Sequence, residues 1–214
     1  MERAAAAGCE ALVLTVDTPV LGPRNRELRS GFALPPGVER ANLKGLALAG
    51  AAHRPTESNI YSAVLDPTLT WKDLDWLRSL TRLPLLLKGI TNPEDAERAV
   101  QAGVAGIIVS NHGGRNMDTV PPTIDALPLV AARVAGRLPV LVDGGIRRGT
   151  DILKALALGA SATLIGRPYL YGLAVDGAAG VTRVVNILRR EFEMAMALSG
   201  RPSIAALDSS VIWR

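Results

Sequence analysis

The residues best suited to proton chemistry gather around one histidine. His112 lies between Asn111 and a glycine pair, Gly113-Gly114, with Arg115 closing the motif. An imidazole changes charge near neutral pH, so in such a turn it can take a proton from an alcohol or an acidic C–H. Asp17 could hold its other ring nitrogen and stabilise the imidazolium. A purely structural, hydrogen-bonding histidine fits the same position. Arg115 offers a planar fork that can clamp a carboxylate beside the base. Arg24 could reach the same anion, although Arg26 and Arg29 nearby make it weaker evidence by itself. Lys88 closes an apolar run, and a buried ammonium needs an anionic partner. A cofactor that becomes negative during reaction would serve, and so would an ion pair with Asp17 or Asp143. Further on, Gly144-Gly145 and Gly166 let the backbone approach an anion, while Arg147 and Arg167 supply forked charge. That combination suggests a phosphate cradle of the kind found after the last two strands of β/α barrels. The alternative is a pair of tight strand–helix turns. The second histidine, His53, falls in a polar stretch and is expected to be solvated.

These residues follow five short apolar runs: Ala11–Val16, Pro84–Lys88, Gly106–Ser110, Pro139–Asp143 and Ala162–Gly166. Each is nearly continuous in apolarity, which predicts strands buried on both faces of a parallel sheet. Helical patterns lie between the later runs. Thr70 is placed to cap a helix carrying Leu74, Leu77 and Leu80. Asn92-Pro93-Glu94-Asp95 supplies a cap, a first-turn proline and acids at the positive dipole end, and Gly103 can end that helix. Further helices are expected from Thr123 through Arg133, from Gly149 to near Gly159, and along the stripe Val181, Val184, Val185, Leu188, Phe192, Met196 up to Gly200. The order is α/β with right-handed crossovers, and it fits a barrel or a doubly wound sheet equally. The connection from Leu21 to about Leu69 is long and weakly periodic, which suggests a lid.

Composition narrows the class. With 48% apolar and 21% charged residues the chain is neither disordered nor membrane-like. Its net charge of +4 comes from scattered arginines without a basic run, which argues against nucleic acid as partner. The lone Cys9 forms no intrachain disulfide and fits a reducing, cytoplasmic setting. The Ala-rich start reads as the last turns of a helix leading into a strand rather than a signal segment, because Glu10 interrupts it. No metal site is singled out.

Taken in order, Leu14-Thr15-Val16-Asp17-Thr18-Pro19, Leu87-Lys88-Gly89, Ser110-Asn111-His112-Gly113-Gly114-Arg115, Asp143-Gly144-Gly145-Ile146-Arg147-Arg148-Gly149 and Ile165-Gly166-Arg167-Pro168 resemble the signatures of the FMN-dependent 2-hydroxy-acid oxidase/dehydrogenase family, which includes glycolate and lactate oxidases. The resemblance covers essentially the whole chain. It implies a partial (β/α)8 TIM barrel, with strands four to eight and the lid after the first strand present. The chain is then a single barrel domain over 1–214, truncated at its N-terminus. An open arc of that kind exposes two sheet edges and apolar faces.

The resemblance also implies roles. His112 is the base and Asp17 its carboxylate partner; Arg115 and Arg24 hold the substrate carboxylate. Lys88 lies beside the flavin N1/O2 edge, and Thr15 and Ser110 contact the flavin. Asp143, Gly144, Gly145, Arg147, Gly166 and Arg167 form the ribityl and phosphate site. The implied reaction is oxidation of an L-2-hydroxy acid to a 2-oxo acid with FMN as cofactor, oxygen or another acceptor as oxidant, and a homo-oligomer as the working form. The rival reading is a non-catalytic FMN-binding or protein-interaction fragment. An IMP dehydrogenase-like enzyme is disfavoured, because Cys9 precedes the first strand, away from the strand-end loops.

Overall fold

Five parallel strands form one sheet in chain order. They are β1 (Leu12–Thr15), β2 (Leu85–Lys88), β3 (Gly106–Val109), β4 (Val140–Val142) and β5 (Ala162–Thr163). The computed structural model describes residues 1–44, 60–61 and 65–213. A doubly wound sheet reverses its strand order at a switch point. No reversal occurs here, so the arrangement is the arc of a β/α barrel. The last run is strand only over Ala162–Thr163; the Leu164 N–H still bonds the Val142 carbonyl at 2.9 Å, and the chain then turns at Gly166.

Alternation along each strand separates two faces. Leu85, Leu87, Ile107, Val109, Val140 and Val142 join one core with helix residues such as Ala96, Leu127 and Val130. Leu87 is 1% exposed, and burying a side chain of that size stabilises by about 1.5–3 kcal/mol. The intervening residues, among them Val13, Thr15, Leu86, Lys88, Ile108 and Ser110, point to the opposite face. Burial on both faces is met at β3, whose four residues are all buried. It fails at β1, an edge strand, where Val13 is 50% exposed.

The helices are α1 (Glu2–Ala6), α2 (Asn25–Ser30), α3 (Asp73–Ser79), α4 (Pro93–Gln101), α5 (Thr123–Val134), α6 (Gly149–Ala157) and α7 (Arg167–Leu198). Asn92 caps α4 as expected, its Oδ1 accepting the Glu94 N–H at 2.8 Å, and Gly103 turns left-handed after it. Thr70 does not cap α3. The helix begins at Asp73, whose carboxylate accepts both the Thr70 N–H at 2.6 Å and its hydroxyl at 2.8 Å. α7 breaks at Asp176-Gly177, and Gly172 and Gly180 press backbone to backbone across the break. Leu188 and Met196 of the expected stripe are buried, whereas Val185 is exposed. Among the described residues no helix is long and apolar enough to cross a membrane.

The long connection contains α2, closed by a left-handed Gly31, and a 3-10 turn at Ala41–Leu43. Residues 45–59 and 62–64 of the expected lid, His53 among them, lie outside the described residues.

Candidate active site

The C-terminal strand ends carry the polar residues of the face opposite the core. Thr15 stands beside Lys88 in register. The Lys88 ammonium donates to Ser110 Oγ at 2.7 Å and pairs with Asp143 Oδ2 at 3.1 Å. Of the two ion pairs left open for Lys88, the one with Asp143 forms and the one with Asp17 does not. One of its three N–H bonds remains without a partner among the described residues. Asp143 Oδ1 is likewise buried with no hydrogen-bond partner among them. The Thr123 hydroxyl donates to the Asp143 carbonyl and anchors that strand end. Ser110 is 1% exposed, and its Oγ accepts from both Lys88 and the His112 N–H, the latter at 3.1 Å. Its oxygen therefore links two site residues instead of facing open space.

His112 sits at φ 57, followed by Gly113 at φ 67 and Gly114 at φ 70. A left-handed conformation costs a non-glycine residue on the order of 1–3 kcal/mol and persists only where its surroundings enforce it. Here Ser110 Oγ takes the His112 N–H, and Asn111 Oδ1 takes the Gly114 N–H at 3.2 Å. The turn aims His112 Nδ1 at Asp17 Oδ1, 3.1 Å away. The two side chains are 31% and 14% exposed, so the pair is partly shielded yet reachable. β1 and β3 are not neighbours, and Asp17 must pass over the end of β2. Gly89 permits this, because a Cβ there would overlap the Asp17 side chain. A proton on Nδ1, donated to Asp17, leaves Nε2 as an acceptor; this tautomer is assigned from the hydrogen-bond network.

Arg24 and Arg115 are brought together. Arg24 Nη1 donates to the Gly22 carbonyl at 3.1 Å and to the Arg115 carbonyl. Burial first, and the nearby Arg115 charge second, pull the Arg24 guanidinium below its ordinary pKa, with Glu27 acting the other way. Two converging like charges favour an intervening anion. At present Arg115 Nη2 leans on Glu27 Oε1 at 3.4 Å, a contact from α2.

The glycine turns differ in what they leave open. At Gly145 and at Gly166 an added Cβ would meet nothing within 4 Å, whereas at Gly144 it would lie 2.8 Å from Thr123 Oγ1. Arg167 Nη2 reaches the Gly113 carbonyl at 3.3 Å, tying the α7 start to the His112 turn. The Arg147 guanidinium is exposed, with no side-chain partner among the described residues. The N-terminus of α6 is already taken. Asp151 accepts the Arg147 and Arg148 N–H groups, and Glu191 accepts the Gly149 N–H at 2.9 Å together with Arg148. Those contacts, the Gly149 amide foremost, hold Glu191 below the usual carboxylate range. An anion is thus left the Gly145 turn, the start of α7 and two arginines. The spare Lys88 N–H and the orphaned Asp143 Oδ1 add a donor and an acceptor on the same face, so the set fits a phosphorylated cofactor with hydroxyls in its linker.

Residues singled out from sequence as the base, its carboxylate, the lysine and the arginines therefore share one end of the sheet. Sequence reasoning passed over Thr18, Glu27, Asn116 and Thr123 as site residues. Thr18 stands inside the motif Leu14-Thr15-Val16-Asp17-Thr18-Pro19 and Asn116 directly after the one ending at Arg115, and that adjacency was the available signal.

A His–Asp pair, a shielded lysine and open glycine turns flanked by arginines, all at the strand ends of a barrel arc, define the class as α/β barrel proteins with a candidate anion site. The family profile of FMN-dependent dehydrogenases matches residues 1–214, and the chain belongs to that family. It is 53% identical to an L-lactate oxidase of Nostoc sp., covering 99% of this chain and 59% of that protein. It is 50% identical to glycolate oxidase 1 of Oryza sativa subsp. indica, over 100% of this chain and 58% of that one. A crystal structure of mandelate oxidase with (S)-2-phenylpropionate superposes with a TM-score of 0.84 at 46% identity, covering 97% of this chain and 56% of the other. The chain thus spans somewhat over half the length of the relatives it matches, and its five strands are part of a TIM barrel.

Proposed function

We propose that the chain forms the catalytic part of an FMN-dependent enzyme that oxidises a small L-2-hydroxy acid, such as lactate or glycolate, to the 2-oxo acid. The carrying observation is His112 Nδ1 at 3.1 Å from Asp17, with Nε2 left to act, on the same sheet end as Lys88 and the paired arginines. FMN, when bound, supplies the two-electron acceptor that no side chain can provide. Arg167, Arg147 and the Gly144-Gly145 and Gly166 turns would hold its phosphate, Asp143 its ribityl hydroxyls, and Thr15 and the spare Lys88 N–H its ring; Ser110 keeps Lys88 in place. Arg115 and Arg24 would bind the substrate carboxylate, with Arg115 leaving Glu27 for it. His112 Nε2 takes the substrate proton, and Asp17 stabilises the imidazolium that results. Oxygen or another acceptor completes the cycle, in a homo-oligomer in the cytoplasm.

The test is direct. The chain is mixed with FMN, desalted and exposed without oxygen to L-lactate or glycolate while the visible flavin band is followed. Retained flavin that bleaches supports the reading. Flavin that is not retained, or is retained but bleached by no 2-hydroxy acid, overturns it; the second outcome leaves a flavin-binding module.

A further inference from the structure

We propose that Asn116 is a positioning residue for the His112–Asp17 pair: its amide straps the β1 end to the His112 turn and, through Thr18, keeps the imidazole in the Nδ1–H form. The inference rests on His112 being the base. Asp17 and His112 arise from strands separated by β2, so no ladder hydrogen bond sets their spacing. Asn116 Nδ2 supplies the missing tie. It donates to the Asp17 carbonyl at 2.7 Å and to Thr18 Oγ1 at 2.8 Å, using both amide hydrogens. The reversed amide would set carbonyl against carbonyl at Asp17, so the orientation is fixed by the network. Its Oδ1 is buried without a partner among the described residues, so only the Nδ2 contacts account for its placement.

The consequence passes through Thr18. Its hydroxyl accepts from Asn116 and donates its single hydrogen to Asp17 Oδ1 at 3.1 Å. It also lies 3.3 Å from His112 Nδ1, but has no hydrogen left to give. An unprotonated Nδ1 would face the Asp17 carboxylate acceptor to acceptor, so Nδ1 carries its own proton, which goes to Asp17, and Nε2 is left as the acceptor. Gly22 packs on the Arg115 and Asn116 backbone, and Arg24 bonds the Arg115 carbonyl, but neither touches the pair. The other charges around the ring are Lys88 behind Ser110 with Asp143, Arg167 at Gly113, and Arg115 and Arg24 on the flanking loops.

The chain has two histidines, so imidazole NMR resolves two rings, and His53→Gln assigns them. In the cofactor-free wild type, nitrogen shifts should report His112 as the Nδ1–H tautomer when neutral. In Asn116→Leu, which matches the amide in size but donates nothing, that signature should give way to a mixture. Thr18→Val should do the same, and it carries the test if Asn116→Leu does not fold. A folded variant of either kind whose His112 tautomer signature matches wild type overturns the proposal. The readout needs neither flavin nor turnover, so a chain that oxidises no hydroxy acid would defeat the proposed function while leaving this result to be judged separately.

Discussion

The two faces of the sheet divide the work. The helix-covered face is apolar without interruption, with Leu87, Ile107, Val109 and Val142 at most 1% exposed. The opposite face of the same strands carries Thr15, Lys88, Ser110 and Asp143 at its ends, with an ion pair at 3.1 Å and acceptors left over. Adjacent residues in one strand therefore serve opposite ends: Leu87 secures β2, and Lys88, its neighbour, is available to chemistry. Because side chains alternate, a site can be built on strand ends without interrupting the core beneath it. The difference also locates cost. A change on the covered face should be felt as stability, and a change at the strand ends as ligand affinity and rate.

Leu87→Ala should break the covered face most severely, lowering unfolding free energy by about 3 kcal/mol in urea titrations. Flavin retained per folded molecule should stay the same. Arg167→Ala should act the other way. Loss of a charge-assisted hydrogen bond to phosphate should weaken FMN retention by ten-fold or more, while the urea midpoint of the cofactor-free chain holds. Val13→Ser sharpens the contrast. Val13 is half exposed on the opposite face, so the substitution should change stability by less than about 0.5 kcal/mol. A loss beyond the ~1 kcal/mol that strand propensity alone can cost would contradict this division between the faces.

The smallest effect lies on the helical layer. Arg137 Nη2 meets Glu97 Oε2 at 2.6 Å, bridging α5's end to α4, and this holds Glu97 at about 2 against an ordinary 4.5. A carboxylate held below its unfolded value stabilises the fold above that unfolded value and stops doing so as pH falls through the folded one. Glu97→Gln should therefore show a slight stability deficit at neutral pH that shrinks between 4.5 and about 2. Arg137 is exposed and Glu97 half-buried at the surface, so the deficit should also fade in high salt.

Much of this was legible in the sequence, for physical reasons that differ by element. Continuous apolar runs marked all five strands because a parallel sheet is covered on one face by helices and crowded on the other. The Asn92-Pro93 start of α4 was legible because capping is local. α2 was not, because Asn25–Ser30 has no apolar periodicity and no buried residue, and its tie to the site is the Glu27 contact with the distant Arg115. The Thr70 cap was misplaced because its hydroxyl donates to the Asp73 carboxylate instead of accepting a helix N–H, and the Asp73 N–H bonds the Thr70 carbonyl. In the site, His112, Asp17 and Lys88 announced themselves by residue type at strand ends. The choice of Asp143 over Asp17 as partner to Lys88 depended on which strand ends face each other, which only the register supplies. Asn116 escaped notice because its bonds reach residues almost a hundred positions away, at Asp17 and Thr18.

The central claim is that the strand ends of the uncovered face place one imidazole where it takes the substrate proton. His112→Gln tests it most directly, by anaerobic flavin bleaching with L-lactate or glycolate in chain loaded with FMN. The account predicts that the variant retains FMN as wild type does and bleaches roughly 100- to 10,000-fold more slowly, the usual contribution of a positioned general base. Bleaching at the wild-type rate in a His112→Gln chain with its flavin in place would contradict it.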